Sequence, residues 1–226
     1  VTHQSIDVFE VRDVLAPPVD LAGIPVAALP PTLFNGLHIM NGNRGILLAP
    51  LPSSTSGSPT VRVEVRDCEI DHNVIGVRTE VSALRHECVI EHNYIHHNFN
   101  AEPFGVGVDV FNGGVTGSLI RANRLFTNEI NLRIANVTPD ANQCRDRVFS
   151  NFIDDAEWNV ELRDCAARLT SNTIAFARPH SGAFAAFGVR YESVSAIPNR
   201  RLTLLDNIIW NPGQQDIFLT GPGGPP

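Results

Sequence analysis

The sequence predicts an all-β solenoid in which the short strands of successive coils pair into three parallel sheets around one core. The main observation is a pattern that returns six times, beginning at Val65, Ile90, Ile120, Val148, Leu169 and Leu204. Each copy reads as an apolar residue, two spacers, Asn or Cys, one residue, Ile or Leu, and two spacers that usually precede another Asn. A unit this short cannot bury its own apolar residues, so neighbouring units must supply the core.

A second apolar alternation follows each copy of the pattern, as in the segment 76–80. Alternation with a period of two indicates a β-strand. No two-residue turn of the Asn-Gly type separates these segments, so they cannot form hairpins, and each must pair with the equivalent segment of the next coil. We therefore expect one of the three sheets to contain the segments 76–80, 105–109, 130–133, 160–163, 188–192 and 216–220.

The Asn or Cys of each copy predicts a ladder of stacked side chains. These anchor residues are separated by 25, 30, 28, 21 and 35 positions, which fits a coil of about 21 residues with variable insertions. Amides that lie one strand spacing apart, roughly 4.8 Å, can donate to the next side-chain oxygen and satisfy buried turn groups. We expect the anchors to form a single stack: Cys68, Asn93, Asn123, Asn151, Asn172 and Asn207.

These features resemble the right-handed parallel β-helix of the pectate-lyase-like superfamily. The resemblance covers residues 61–220, and more loosely residues 36–48 as an earlier, shortened coil. It implies a right-handed rod in which the segments of the second alternation form the first sheet and its outer face binds polysaccharide. The chain length allows about eight coils. The predicted organisation is a possible cap or partial first coils over 1–35, the β-helix over 36–220, and a Gly/Pro linker over 221–226.

Composition restricts the classes of partner. The 226 residues suffice for one domain, and the net charge of −7 argues against a nucleic-acid partner, which would need a basic face. No apolar run approaches the roughly 18 residues of a membrane-spanning helix. No cofactor is predicted, and neighbouring domains or subunits are the expected partners at the ends of the coil.

The four cysteines differ in their positions relative to the anchors. Cys144 and Cys165 each precede an anchor by seven positions, so they stack roughly 4.8 Å apart, within the range of about 4.4–6.8 Å that a disulfide requires. Cys68 and Cys88 do not stack and are predicted to be buried thiols. The predicted disulfide and a sequon at Asn136 together favour an extracytoplasmic location.

The outward positions of the first sheet form two predicted files of side chains. The first file comprises Arg78, Gly107, Asn131, Glu161, Arg190 and Phe218, and the second comprises Glu80, Asp109, Arg133, Arg163, Glu192 and Thr220. Two long insertions, 178–187 and 193–201, flank one strand of this sheet. Because loops on a rigid scaffold commonly carry function, the predicted catalytic residues are Asp109, Arg133, Glu161, Arg163, His180, Arg190 and Glu192.

These residue types suit chemistry on an acidic polysaccharide. A lyase or epimerase needs a positive group at the uronate carboxylate, which Arg133, Arg163 or Arg190 could supply. It also needs a base for the C5 proton, a role for His180 or an arginine. The expected function is therefore a lyase or epimerase of an acidic glycan that acts on the outer face of the first sheet.

Two alternatives stay open. A hydrolase would use two carboxylates roughly 5–9.5 Å apart, such as Glu161 with Glu192 or Asp109 with Glu80. Alternating arginines and acids also pair simply to keep a surface solvated, where each pair contributes about 0–1 kcal/mol. The sequence lacks the motifs of polygalacturonases, of mannuronan epimerases and of calcium-dependent pectate lyases, which favours a non-catalytic structural or adhesive rod of a larger surface or fibre protein.

A group of histidines lies on the strands of another predicted sheet. The repeats stack Asp71 on His96 and His72 on His97, and such residues in proximity are typical metal ligands. A polar ring before a tight turn also hydrogen-bonds the local backbone, and this interpretation is preferred, so no metal is predicted. Aromatic side chains on the same flank could stack against sugars: Tyr94, Phe126, Phe152 and Trp210.

Overall fold

Three parallel sheets form a β-solenoid in the computed structural model of the chain. The structure describes residues 9–12, 32–49, 61–79, 86–99, 105–112, 118–136, 146–165, 167–179, 186–193, 202–212 and 214–221. Within these ranges there is no helix long and apolar enough to cross a membrane.

Every pairing between the described strands is parallel. Sheet 1 contains β1 (Phe9–Arg12), β4 (Arg44–Ala49), β7 (Ile75–Thr79), β10 (Val106–Asn112), β13 (Ile130–Asn136), β16 (Trp158–Arg163), β19 (Phe187–Glu192) and β22 (Gln215–Thr220). Sheet 2 contains β2 (Thr32–Asn35), β5 (Val61–Arg66), β8 (His86–Glu91), β11 (Leu119–Arg121), β14 (Arg147–Phe149), β17 (Arg168–Thr170) and β20 (Thr203–Leu205). Sheet 3 contains β3 (His38–Met40), β6 (Glu69–Asp71), β9 (Tyr94–His96), β12 (Arg124–Phe126), β15 (Phe152–Asp154), β18 (Thr173–Ala175) and β21 (Ile208–Trp210).

The chain passes in turn through sheets 2, 3 and 1, which confirms the predicted all-β solenoid of three parallel sheets. The described strands form seven complete coils, slightly fewer than the eight expected, with β1 as an additional strand of sheet 1. The earliest coil begins at Thr32 rather than at residue 36. Part of the segment 1–35 therefore joins the sheets.

The core is organised around the central residue of each sheet 3 strand. These residues lie in register and the first six are at most 1% exposed: Ile39, Ile70, Ile95, Leu125, Ile153, Ile174 and Ile209. Full burial of a branched aliphatic side chain contributes about 1.5–3 kcal/mol. Since each residue packs on its equivalents in the next coils, this stabilisation depends on the stacking of coils.

The turn between sheets 2 and 3 explains why the anchor position is fixed. The residue before each anchor has a left-handed backbone, with φ between 50° and 57°: Asp67, His92, Ala122, Ser150, Ser171 and Asp206. This conformation costs L-residues roughly 1–2 kcal/mol. A corner made by so few residues also leaves backbone groups without strand partners, and the anchor side chains satisfy them.

The anchors form one stack, as predicted. The Nδ2 atoms of Asn93, Asn123, Asn151 and Asn172 each donate to the Oδ1 atom of the next anchor at 2.9–3.0 Å. Each Oδ1 atom also accepts the backbone N–H of the preceding anchor, beginning at Cys68. This amide ladder supplies the hydrogen bonds that buried polar groups require.

A second amide ladder lies between sheets 3 and 1. Asn73 Nδ2 donates to Asn98 Oδ1 at 3.3 Å, and Asn98 Nδ2 donates to Asn128 Oδ1 at 2.8 Å. The ladder then moves three residues along the chain, because Asn128 Nδ2 donates to Asn131 Oδ1 at 2.8 Å. Asn131 Nδ2 donates in turn to Asn159 Oδ1 at 2.9 Å. The ladder thus continues through the coils that have alanine at the position equivalent to Asn73, Asn98 and Asn128.

Glycines make room for this second ladder. Gly107 lies in register with Asn131, and a Cβ atom on Gly107 would lie 2.8 Å from Asn128 Nδ2, which is too close. Where a coil has Gly at this sheet 1 position, the following coil therefore has Asn in its turn between sheets 3 and 1. Where a coil has Asn at this position, the following coil has Ala in that turn. The pairs are Gly45 with Asn73, Gly76 with Asn98, Gly107 with Asn128, Asn131 with Ala156, Asn159 with Ala177, and Gly188 with Asn211.

The described cysteines are buried. Cys68 and Cys88 are free thiols, as predicted, and burial raises the pKa of Cys88 to about 12. Cys165 is fully buried, but Cys144 lies outside the described residues. The disulfide between Cys144 and Cys165 therefore stays a prediction, and so does the extracytoplasmic location that it favours.

Candidate functional site on sheet 1

One file of mostly charged side chains runs along six strands of sheet 1, with one residue on each. Its members lie in register on β7, β10, β13, β16, β19 and β22: Arg78, Asp109, Arg133, Glu161, Arg190 and Phe218. The residues before them are core residues, for example Val108 and Val160, so the file occupies the opposite face of the sheet. We call it the charged file.

The first half of the charged file is held tightly around Asp109. Arg133 makes two hydrogen bonds to this carboxylate, Nε to Oδ1 at 2.9 Å and Nη2 to Oδ2 at 2.7 Å. Arg78 Nη1 lies 3.2 Å from Oδ2, and Asp109 is fully buried. Burial alone would lower the pKa of Arg133, but the hydrogen bonds and charge of Asp109 outweigh it and raise this pKa. These short, buried contacts indicate that the ion pairs of Asp109 have a structural role.

The second half is held loosely around Arg190. Its Nη1 atom lies 3.3 Å from Glu161 Oε1, its Nη2 atom lies 3.7 Å from Glu192 Oε2, and its guanidinium group lies 4.4 Å from the Trp158 ring centroid. Arg163 Nε lies 3.4 Å from Glu192 Oε2, and its side chain is 53% exposed. These long contacts leave the two guanidinium groups able to exchange a carboxylate of the protein for one of a ligand.

Glu161 has the perturbed ionisation that is common in functional sites. It is 7% exposed, and burial raises its pKa, although the charges of Arg190, Arg133 and Arg163 oppose this increase. A buried carboxyl whose pKa is raised can hold a proton nearer to neutral pH and donate it. Glu161 is therefore the best-placed proton-transfer group of the described file.

The raised pKa of Glu161 predicts a pH-dependent stability. Between its ordinary pKa, about 4.3, and its folded pKa, the folded chain binds more protons than the unfolded chain, so the contribution to stability is present at lower pH and is lost as pH rises through the folded pKa. We expect a Glu161→Gln variant to gain stability relative to the parent protein as pH rises from about 4 to 7. Urea unfolding at a series of pH values measures this, and a difference that falls with pH would contradict it.

The predicted files differ from the structure by two residues on β10 and β13. The sequence predicts Gly107 beside Arg78 and Asn131 beside Glu161. In the structure, Asp109 is in register with Arg78, and Arg133 is in register with Glu161. Gly107 and Asn131 occupy instead the Gly/Asn position of the second amide ladder. A shift of two residues keeps every side chain on its own face of the sheet, so the alternation alone could not reveal the error.

Six of the seven predicted site residues are brought onto this face. Asp109, Arg133, Glu161 and Arg190 share the charged file, and Arg163 and Glu192 lie in register two positions further along β16 and β19. Glu80 and His180 lie outside the described residues, so their positions relative to the site stay predictions. The sequence interpretation did not single out Trp158, because an odd spacing of three residues from Glu161 on β16 predicts the opposite face of a regular strand.

The histidine group on sheet 3 has the predicted stacking. Asp71 lies in register with His96, and the rings of His72 and His97 are stacked with centroids 5.7 Å apart. Asp71 accepts hydrogen bonds from His38 Nε2 at 2.6 Å and His72 Nδ1 at 2.5 Å. Among the residues that the structure describes, no group of three or more His, Cys, Asp or Glu side chains is arranged to hold a metal ion. In these hydrogen bonds the partner of His38 and His72 is thus the Asp71 side chain rather than the local backbone.

Comparisons with protein-family models, with curated proteins and with solved structures found no match to this chain. The parallel β-solenoid is established by its three sheets and its ladders. Resemblance to the pectate-lyase-like superfamily stays a prediction.

Proposed function

We propose that the outer face of sheet 1 binds an acidic polysaccharide and that the protein is a lyase or epimerase of this glycan, related to the pectate-lyase-like superfamily. The observation that carries the proposal is the group formed by Arg163, Arg190, Glu161 and Trp158. It combines two loosely held guanidinium groups, a buried carboxyl with a raised pKa and an aromatic ring. This combination supplies both recognition and proton transfer.

Recognition of the substrate would begin at its carboxylate. A uronate carboxylate that approaches Arg163 and Arg190 replaces their long contacts to Glu192 with charge-assisted hydrogen bonds. Guanidinium groups in this position also stabilise the negative charge that develops when C5 loses its proton. The tight Asp109–Arg133 pair holds the neighbouring strands in place and does not need to move.

Proton transfer would be shared between two groups. His180 is the candidate base for the C5 proton, and Glu161 is the candidate acid, because its raised pKa favours the protonated form. In a lyase the electron pair from the broken C5–H bond forms the C4–C5 double bond, and the glycosidic oxygen leaves with a proton from the acid. In an epimerase C5 regains a proton on the opposite face instead.

Replacing Arg163 and Arg190 together by Ala is expected to abolish turnover and binding of acidic glycans. The melting temperature should fall by less than about 4 °C, because long, partly exposed ion pairs contribute about 0–1 kcal/mol. Absorbance of the unsaturated product detects a lyase in a panel of uronic-acid polysaccharides. Proton exchange at C5 detects an epimerase, and calorimetry measures binding.

A matched control is available on sheet 2. Arg147 and Arg168 are exposed arginines in register on neighbouring strands, so their double Ala variant removes the same charge from another face. This variant should retain activity and binding. Unfolding of the Arg163/Arg190 double variant, or equal losses in both double variants, would contradict the assignment of Arg163 and Arg190 to the substrate.

A non-catalytic rod is the second candidate. The observation that favours it is the charged file itself, in which arginines and carboxylates alternate and neutralise one another. If no acidic glycan binds the parent protein and no product forms, the charged file acts only as a solvated surface, and the rod becomes the better proposal.

A further inference from the structure

A shallow groove crosses the corner between sheets 2 and 3, on a different face from the charged file. Three consecutive coils contribute to it, and its floor is formed by the anchors Asn93 and Asn123 and by residues beside them. Its sheet 3 side carries Tyr94, Arg124 and Phe152, which lie in register on β9, β12 and β15. Three neighbouring coils therefore place an aromatic ring, a cation and a second aromatic ring in one row.

The two aromatic rings of this row are open to solvent. Tyr94 is 57% exposed and Phe152 is 40% exposed. Because each is one strand from Arg124, the backbone positions of Tyr94 and Phe152 lie roughly 9.6 Å apart along the rod, twice the strand spacing of about 4.8 Å. The backbone below them is fixed by the amide ladder, so this spacing is rigid.

Arg124 differs from the arginines of the charged file in the groups that surround its guanidinium group. No carboxylate of the described residues lies within ion-pair distance of its guanidinium group. The group lies instead over two aromatic rings, 4.5 Å from the Phe126 centroid and 5.7 Å from the Phe152 centroid. Burial raises the pKa of Asp154 on the neighbouring strand, and the charge of Arg124 opposes this increase. Arg124 is thus held in position and available to an anion.

We propose that this groove is a carbohydrate-binding site for an anionic sugar chain, in which sugar rings stack on Tyr94 and Phe152 and an acidic substituent binds Arg124. Aromatic rings provide flat apolar surfaces with little loss of side-chain entropy on binding. A guanidinium group between them selects a planar anion by paired hydrogen bonds. The polar groups at the corner, among them His92 and Ser150, can accept or donate hydrogen bonds to sugar hydroxyls.

This site is independent of the proposed activity. Its residues lie on sheet 3 and its adjoining turn, whereas the proposed catalytic group lies on sheet 1. Binding here would hold a chain against the rod whether or not the chain is cleaved. The site gives two of the exposed aromatic side chains on this flank, Tyr94 and Phe152, a role in binding.

The test uses the full chain with Arg163 and Arg190 replaced by Ala, so that the sheet 1 site does not contribute. Titration calorimetry with a galacturonate hexamer, a sulfated galactan oligosaccharide and a neutral galactan oligosaccharide of equal length gives the three affinities. We expect the anionic chains to bind at least tenfold more tightly than the neutral chain. Absence of binding by all three, or equal affinities for all three, would overturn the proposal.

Point variants then assign the contacts. Arg124→Gln should weaken binding of the anionic chains at least tenfold and leave the neutral chain unchanged, whereas Phe152→Ala should weaken all chains that bind. Arg178→Gln is the matched control, because Arg178 is also exposed near this flank but is paired with Asp155. An Arg124→Gln variant that binds as the Arg178→Gln control does would overturn the proposal. Thermal unfolding confirms that each variant is folded.

Discussion

Replacing Asp109 by Ala is expected to lower the free energy of unfolding by about 3–5 kcal/mol, the cost of breaking a buried ion pair by removing one partner. Asp109 is fully buried and is bonded to Arg133 through both carboxylate oxygens, with Arg78 at 3.2 Å. Without the carboxylate, two largely buried guanidinium groups repel each other across β10. Urea denaturation of the purified protein measures the change.

Glu192→Ala is the control for this prediction. Glu192 also accepts from arginines of sheet 1, but its contacts to Arg163 and Arg190 are 3.4 and 3.7 Å long and partly exposed. Its loss should cost less than about 1 kcal/mol. Similar losses of stability in the Asp109 and Glu192 variants would show that the short, buried contacts of Asp109 and the long, exposed contacts of Glu192 do not differ in strength.

Replacing Asn151 by Leu is expected to lower the free energy of unfolding by about 1–3 kcal/mol, the cost of leaving buried groups without hydrogen bonds. Asn151 Nδ2 donates to the carbonyl oxygens of Ile120 and Phe149 and to Asn172 Oδ1, and Asn151 Oδ1 accepts from Asn123. Leucine has a similar volume but offers neither donor nor acceptor. Equilibrium unfolding in urea gives the difference.

The same substitution at the end of the ladder provides a comparison. Asn207 donates to Leu169 and accepts from Asn172, but it is only partly buried, so water can replace its bonds. Asn207→Leu should therefore destabilise the protein less than Asn151→Leu. An equal or larger effect at Asn207 would mean that burial does not control the strength of the ladder.

The first amide ladder and the three sheets could be predicted because each depends on a residue type that recurs in every coil. An anchor such as Asn123 or Asn151 repeats at the same place between two strands, and its partner is the same residue of the next coil. The repeated sequence pattern therefore identifies both an anchor residue and the residue with which it forms a hydrogen bond. The presence of Arg163, Arg190 and Glu192 on the outer face of sheet 1 could be predicted from the alternation of inward and outward residues along β16 and β19.

The charged file could not be aligned correctly from the sequence. The strand β10 follows Gly105 and contains Gly107, so either glycine could be matched to Gly76 of the previous coil. Both alignments satisfy the alternation, and only the contact of Gly107 with the second ladder distinguishes them. The tight Asp109–Arg133 pair depends on this register, whereas the partners of Arg190 and the exposure of Arg124 depend on side-chain packing.

The alternation of Gly, Asn and Ala in the second ladder has a consequence for how the coils find their neighbours during folding. Parallel coils with equivalent strands could in principle skip one coil and stack on the next. Such a slip would bring Asn159 against Asn211, where two amides compete for the space of one, or Gly107 against Ala156, where a void would remain. The sequence thus disfavours rods in which one coil is skipped. We expect that a coil can be duplicated only where its sheet 1 residue fits its own turn residue, as Gly107 fits Asn98.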